Sequence, residues 1–248
     1  MTPAAAVLCA GGRLPNDHAA LKLPDSHTPT HTRDLTPTRC HPPPPHPPSF
    51  LPIIPHPFIP PPQWIVFFAD ERCVPLDSDD SNYKGCDELL FSKVALPRDN
   101  IHAIDATLGS AADMAAAYAA AFSKAVPDGV FDLVLLGLGP DGHTASLFPG
   151  HALLEEREVT VASILDSPKP PSERITFTLP VLCAGRQLAF VAAGASKTEK
   201  LEEIFLTADC PLPAARVRQG ASHACWFVDR AAAGDRLVVA EAAPESKY

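Results

Sequence analysis

From Trp64 onward the chain alternates short apolar runs with longer stretches in which polar residues recur at helical spacing. The runs WIVFFADER, VFDLVLLGLG, REVTVASI, RITFTLP, QLAFVAAG and HACWFVD read as strands, and several are apolar at both alternating positions, as strands covered on two faces must be. Between them, residues 80–94 and 110–126 have helical character; the second, SAADMAAAYAAAFSKAV, is alanine-rich and closed by Pro127 and Gly129. SKTEKLEEIFL, residues 196–206, is a further helix with Ser196 as its expected N-cap. Strands alternating with helices predict an α/β fold: a Rossmann-like, mostly parallel sheet with helices on both faces, whose ligands gather at the carboxyl ends of the strands.

Residues 1–62 break this pattern. They carry 17 of the 29 prolines and six of the 10 histidines, densest in RCHPPPPHPPSFLPIIPHPFIPPP. Proline has no amide donor and fixes its own backbone, so this arm is expected to be extended or disordered, and the fold is expected to be incomplete at its start. The organisation is then an arm, 1–62, and an α/β domain, 63–248. His41, His46 and His56 offer metal-ligand chemistry, but an extended strand fixes no geometry for it.

Composition narrows the function. The 248 residues, 46% hydrophobic, suffice for a sizeable core, and no apolar stretch reaches the length of a membrane span. The start, MTPAAAVLCAGGRLP, lacks the basic head and long apolar centre of a secretory signal, so a cytoplasmic location is expected, with a plastid as the alternative for a threonine-rich, acid-poor arm. Seven scattered cysteines without a Cys-x-x-Cys pair imply reduced thiols and no zinc site. A net charge of −9 without any Lys/Arg run argues against nucleic acid, while a small anionic substrate stays open if a few cations converge.

Three strand ends carry candidate chemistry. The first, GLGPDGHTASLFPG (137–150), contains Gly-x-Gly-x-x-Gly, with Asp166 at a spacing that mimics a ribose-binding acid. A dinucleotide site needs a helix running on from the third glycine, and Pro149-Gly150 stops one. The alternative is a glycine-permitted turn presenting Asp141 and His143 on one rim around Gly142, where a carboxylate orients an imidazole as general base. A capping Asp beside a surface His fits the same letters.

The second is FFADER, where Asp70, Glu71 and Arg72 emerge from a buried strand. Glu71 is expected to be an ordinary solvated strand end, and Arg72 offers forked donors to a carboxylate or phosphate. The third is FVAAGASKTEK, in which Gly194 ends a strand and Lys197 stands in the first helical turn, a position mildly unfavourable to the helix dipole and favourable to an anion; an exposed lysine is the plainer reading. Arg174, at the head of RITFTLP, is either a second cation for that anion or a surface ion pair.

FFADERCVPLDSDDSNY, FDLVLLGLGPDGHTASLFPGH, DSPKPPSERITFTLPVL, FVAAGASKTEKLEEI and LPAARV…CWFVD, in this order, resemble the glucosamine-6-phosphate isomerase/6-phosphogluconolactonase superfamily over about residues 64–240. SLFPG after the DGH is similar to the lactonase branch, because the deaminase branch carries an acidic residue there. The resemblance implies hydrolysis of 6-phospho-D-glucono-1,5-lactone to 6-phosphogluconate in the oxidative pentose phosphate pathway. It also implies His143 as general base assisted by Asp141, Arg72 in the catalytic site, and Lys197 with Arg174 on the phosphate. Asp70, Gly142 and Gly194 complete the expected substrate site. The partner is a small phosphorylated sugar lactone bound to a monomer, with no metal or organic cofactor, since a lactone is already an activated ester.

The same resemblance implies a first central strand and a serine-bearing SGGS-type loop ahead of residue 64. In residues 4–15 only Val7–Cys9 fit such a strand and Gly11-Gly12 such a loop, with Arg13 at one of the serine positions. A missing central strand would leave two neighbours with open edges. Two other functions therefore stand beside the lactonase: a deaminase-type isomerase, and an inactive scaffold whose arm presents proline-rich ligands.

Overall fold

The computed structural model describes residues 4–8, 21–23 and 64–242, with side chains from 64 to 237. In chain order the elements are β1 (Ala4–Leu8), β2 (Leu21–Leu23), β3 (Trp64–Phe68), β4 (Asp70–Arg72), α1 (Asn82–Leu89), β5 (Ile101–His102), α2 (Ala111–Ala125), β6 (Leu133–Gly137), β7 (Val161–Ile164) and β8 (Arg174–Phe177). They continue with α3 (Leu179–Cys183), β9 (Leu188–Ala192), α4 (Thr198–Leu206), α5 (Pro213–Gly220), β10 (Ala224–Val228) and α6 (Arg230–Ala242), the last broken at Gly234, which adopts φ 62°.

The main sheet has seven strands in the order β2-β10-β9-β6-β1-β3-β5, parallel throughout except for β2, which runs against β10. This is the expected α/β architecture. One expectation is corrected: β1 occupies the centre, with Ala4–Leu8 in register against Trp64–Phe68 on one side and Ala6–Leu8 against Leu133–Leu135 on the other. The strand lies slightly ahead of Val7–Cys9, and the open edges that an absent strand would create do not arise. Gly11-Gly12, Arg13 and the histidines and prolines of the arm lie outside the described residues.

A second correction concerns sheet count. REVTVASI and RITFTLP do not join the main sheet; β7 and β8 pair antiparallel with each other, and β8 pairs antiparallel with β4, in a separate three-stranded sheet. A short link between β7 and β8 permits an antiparallel return but is too short for the crossover that parallel neighbours require. The bend at Ala69 ends β3 and sends Asp70–Arg72 into this second sheet, whose β8 anchors it through the Phe177 amide on the Ala69 carbonyl at 2.9 Å.

Helix α2 forms as its alanines and cap dictate: Ser110 Oγ accepts the Asp113 amide at 3.1 Å, and the helix buries Met114, Tyr118 and Phe122. Those side chains fill the space between the two sheets. Phe67 is fully buried there, with the rings of Tyr118, Phe122, Phe131 and Phe177 centred 5.5 to 6.3 Å away. Burying one such ring contributes about 1.5–3 kcal/mol. Because successive strand residues face opposite ways, Val66 and Phe68 instead meet Phe91, Tyr83 and Cys86, so α1 covers the other face.

At 196–206 the helix proper begins at Thr198. Ala195–Lys197 form a tight 3-10 turn, so Ser196 is not the N-cap; that position falls to Lys197, which gives no side-chain cap.

Candidate active site

The sheet order reverses between β1 and β6: the chain builds outward from β1 through β3 and β5, then returns to place β6, β9 and β10 on its other side. Loops leaving the carboxyl ends there diverge and leave room for a ligand. The segment after β6 carries Asp141 and His143, and the turn after its neighbour β9 carries Lys197, so both emerge at the same end of adjacent strands.

No helix follows the third glycine of 137–142; the chain runs on in turns to Gly150. The dinucleotide reading is thereby removed, and Asp166 is an exposed residue paired with His151 at 3.1 Å. Gly139 donates its amide to the His143 carbonyl at 2.8 Å, Gly142 donates to the Gly139 carbonyl at 3.0 Å, and Thr144 Oγ1 donates to the Gly137 carbonyl at 2.9 Å. Gly142 has φ 87°, the left-handed region, and a Cβ on it would meet Leu212 Cδ1 at 2.8 Å. The Ala214 amide in the first turn of α5 donates to the Gly142 carbonyl at 3.3 Å, so LPAARV braces the turn from outside.

The turn brings His143 Nδ1 to 2.5 Å from Asp141 Oδ1. The imidazole side chain is 17% exposed and the carboxylate 37%, so neither is core and neither is a surface cap. The Phe148 ring lies 4.8 Å from the imidazole. Lys169, from the loop between β7 and β8, reaches in with Nζ 3.1 Å from both Asp141 Oδ1 and His143 Nδ1. Burial raises the Asp141 carboxyl, but the hydrogen bonds and charges of His143 and Lys169 outweigh it and bring the pKa down to about 2. Burial lowers the His143 pKa, with Lys169 acting in the same direction and Asp141 and Asp70 opposing. The outcome is an ionised carboxylate beside an imidazole held neutral near pH 7.

Lys197 belongs to the same electrostatic neighbourhood. Burial lowers its pKa first, Lys169 lowers it further and Asp141 raises it. Among the described residues its ammonium has no side-chain hydrogen bond or ion pair, and the charges that bear on it are those of Lys169 and Asp141. Gly194, at φ 88°, is fixed by its amide on both oxygens of Asp229, at 3.0 and 3.1 Å.

Asp70 and Arg174 form an adjoining buried network. Ser146 Oγ donates to Asp70 Oδ2 at 2.6 Å, and Arg174 Nη1 lies 3.9 Å from the same oxygen and 3.4 Å from Ser146 Oγ. Arg174 is 3% exposed, not the surface ion pair of the plainer reading, and its guanidinium faces the 169–171 carbonyls. Arg72 stands opposite Arg174 in the β4–β8 pair and donates from Nη1 to the Asp80 carbonyl at 2.7 Å. The charge of Arg72 and, before it, burial lower the Arg174 pKa.

Glu71 corrects the expectation of a solvated strand end: it is 1% exposed. Its carboxylate accepts the amides of Arg72, Asn82 and Tyr83, each at 2.8 Å, and Ser81 Oγ at 3.2 Å. It therefore satisfies the first amides of α1, which otherwise lack partners. Burial raises its pKa against those hydrogen bonds.

Lys169, Ser146 and Gly139 are the members that sequence reasoning missed. The proline-flanked Lys169 in DSPKPP carried the only local signal. Among the described residues no group of three or more His, Cys, Asp or Glu is arranged to hold a metal ion, and no helix is long and apolar enough to cross a membrane.

Residues 54–226 match the family model described as glucosamine-6-phosphate isomerases/6-phosphogluconolactonase. The 6-phosphogluconolactonase of Rattus norvegicus is 47% identical over 175 residues, covering 69% of this chain and 67% of that protein. The protein named 6-phosphogluconolactonase 3, chloroplastic, of Arabidopsis thaliana is 42% identical over 181 residues, covering 68% of this chain and 55% of that one. A crystal structure of 6-phosphogluconolactonase from Thermotoga maritima superposes with a TM-score of 0.60 at 34% identity, covering 70% of this chain and 76% of that chain.

Proposed function

The chain belongs to the glucosamine-6-phosphate isomerase/6-phosphogluconolactonase family, and from that premise we propose that it hydrolyses 6-phospho-D-glucono-1,5-lactone to 6-phosphogluconate, with His143 as general base. The observation that carries the reading is the 2.5 Å contact between His143 Nδ1 and Asp141 Oδ1 in a half-buried site that favours neutral imidazole. With its Nδ1 proton donated to Asp141, the ring presents an unprotonated Nε2. Nε2 removes a proton from water as the water oxygen attacks the lactone carbonyl. The C1–ring oxygen bond then breaks, and the imidazolium returns the proton to the departing oxygen.

Lys197 holds the phosphate, its ammonium facing the same strand ends as His143. Arg72 serves the substrate site from β4, and Asp70 supports it through Ser146. The substrate is a small phosphorylated sugar lactone, taken by a monomer, and the reaction belongs to the oxidative pentose phosphate pathway. Ser146, Leu147 and Phe148 are all buried, at 0%, 0% and 2%, where the deaminase branch carries an acid, and this favours the lactonase over the isomerase.

The test is to incubate purified protein separately with the lactone and with glucosamine 6-phosphate, following acid release and ammonia release. Acid from the lactone alone is expected; ammonia without acid would overturn the proposal, and neither product, with no calorimetric binding of 6-phosphogluconate, would make the chain a scaffold.

A further inference from the structure

Lys169 is held far more firmly than a lysine in a connecting loop requires. Arg174 Nη2 donates to the Lys169 carbonyl at 2.9 Å and to the Pro170 carbonyl at 3.1 Å, and Arg174 Nε donates to the Pro171 carbonyl at 2.9 Å. Ser167 Oγ donates to the Lys169 carbonyl at 2.9 Å and accepts the Lys169 amide at 3.3 Å. Arg174 itself is buried and is fixed on its remaining nitrogen by Ser146 and Asp70. A planar guanidinium with all three nitrogens engaged is a rigid bracket. What it brackets is the backbone that aims Lys169 Nζ at Asp141 and His143.

Resting on the reading of His143 as the base, we propose that Lys169 is a positioning residue for it and that Arg174 is the bracket that holds Lys169 in place. An ammonium has three donors and no acceptor, and a protonated Nδ1 likewise only donates. Both groups therefore donate to Oδ1 of Asp141, which lies 3.1 Å from Nζ and 2.5 Å from Nδ1. The shared carboxylate oxygen fixes the imidazole proton on Nδ1 and keeps Nε2 as the lone-pair nitrogen. The ammonium, 3.1 Å from Nδ1, also opposes protonation of the ring. The groups that bear on the ring's charge are Asp141 in its own turn, Lys169 from the β7–β8 loop and Asp70 from β4; Phe148 contributes only an apolar face. Lys169 and burial hold the ring neutral against the two carboxylates. Arg174 acts through Lys169, and its donors are spent on the loop rather than on phosphate.

The test uses the full chain, with His143 titrated by NMR on nitrogen-15-labelled histidine alongside the pH profile of kcat/KM for lactone hydrolysis. In Lys169→Met the His143 pKa, and with it the acid limb of the profile, should rise by about one pH unit, as removal of an adjacent cation requires. Lys169→Arg, which keeps the charge, should show little of that shift. Arg174→Lys should move the limb in the same direction with KM changed less than about threefold, a size below that of a lost charge-assisted hydrogen bond. Ser167→Ala, a milder loosening of the same loop, should give a smaller shift and covers the case in which the Arg174 variant fails to fold. An unmoved His143 titration in Lys169→Met would overturn the proposal, and so would a large rise in KM with the limb unmoved, which would make Lys169 a phosphate ligand. Because NMR reads the ring whether or not it catalyses, loss of the base role for His143 would be seen separately, as unchanged turnover in His143→Ala.

Discussion

Gly139 lies so close beneath the His143 ring that a methyl group on its α-carbon would fall inside the contact radius of Nδ1 and stand 2.7 Å from Asp141 Oδ1. The second glycine of the Gly-x-Gly-x-x-Gly pattern thus serves an imidazole rather than a pyrophosphate. In Gly139→Ala the ring must leave its place beside Asp141. Misplacement of a reacting group by an ångström costs on the order of a hundredfold in rate. We expect that loss in kcat, with the circular dichroism spectrum unchanged; a fully active Gly139→Ala enzyme would show that the Asp141–His143 contact is dispensable.

Removing the imidazole outright should be more severe. His143→Ala is expected to lower kcat by about 10²–10⁴-fold, the usual contribution of a positioned general base, while calorimetric binding of 6-phosphogluconate is largely retained. Unchanged turnover would take His143 out of the mechanism.

The pH dependence has a definite sign. A general base, the role proposed for His143, acts only when neutral, and burial, aided by Lys169, holds the His143 pKa below the ordinary 6.5. The acid limb of kcat/KM should therefore lie below 6.5, with no loss attributable to this group at neutral pH. Stability follows the same groups. Below 6.5 the unfolded chain takes up the His143 proton more readily than the folded one, so stability declines as pH falls. Asp141, at about 2 against an ordinary 3.8, adds a contribution that is full above 3.8 and lost between 3.8 and 2. Denaturant titrations across this range check both; a limb above 6.5 would contradict the neutral base.

Glu71→Gln should destabilise without touching the Asp141–His143 pair. The carboxylate takes the Arg72 and Asn82 amides on Oε1 and the Tyr83 amide with Ser81 Oγ on Oε2. An amide side chain offers one acceptor oxygen, so its NH₂ group must face a backbone donor. An unsatisfied buried donor costs about 1–3 kcal/mol, and a thermal shift of about 2–4 °C per kcal/mol is expected for a domain of this size. An unchanged melting temperature would mean that α1 does not depend on this cap.

Ser146→Ala removes the hydroxyl that donates to Asp70 at 2.6 Å in a fully buried setting. The expected cost is about 1–3 kcal/mol, read by denaturant unfolding. A neutral result would mean that the Ser146–Asp70 hydrogen bond adds nothing to stability.

Legibility followed distance along the chain. Asp141, Gly142 and His143 fall within one turn, and the apolar run before them announced a strand end, so their meeting could be read from the letters. The place of Lys197 just past a strand end was legible for the same reason. Lys169 was not: 26 residues separate it from His143, and only the antiparallel pairing of β8 with β4 and β7 carries its loop across. The acidic character of Glu71 suggested solvent, but a strand that turns into a second sheet directs it onto the helix start. Arg174 was expected on the phosphate because a guanidinium suits anions; that group is equally suited to a cluster of carbonyls, and here it binds those of Lys169, Pro170 and Pro171.

By itself, the sequence determined the α/β architecture and the tight turn that carries Asp141 and His143, because strand alternation, helix capping and tight turns are decided by residues within a few positions of one another. Tertiary structure decided that residues 4–8 complete the centre of the sheet, that 161–177 form a second one, and that a lysine and a buried arginine stand behind the imidazole. Those outcomes depend on hydrogen-bond pairing and charge contacts between segments remote along the chain, whose free energy exists only once the segments have been brought together.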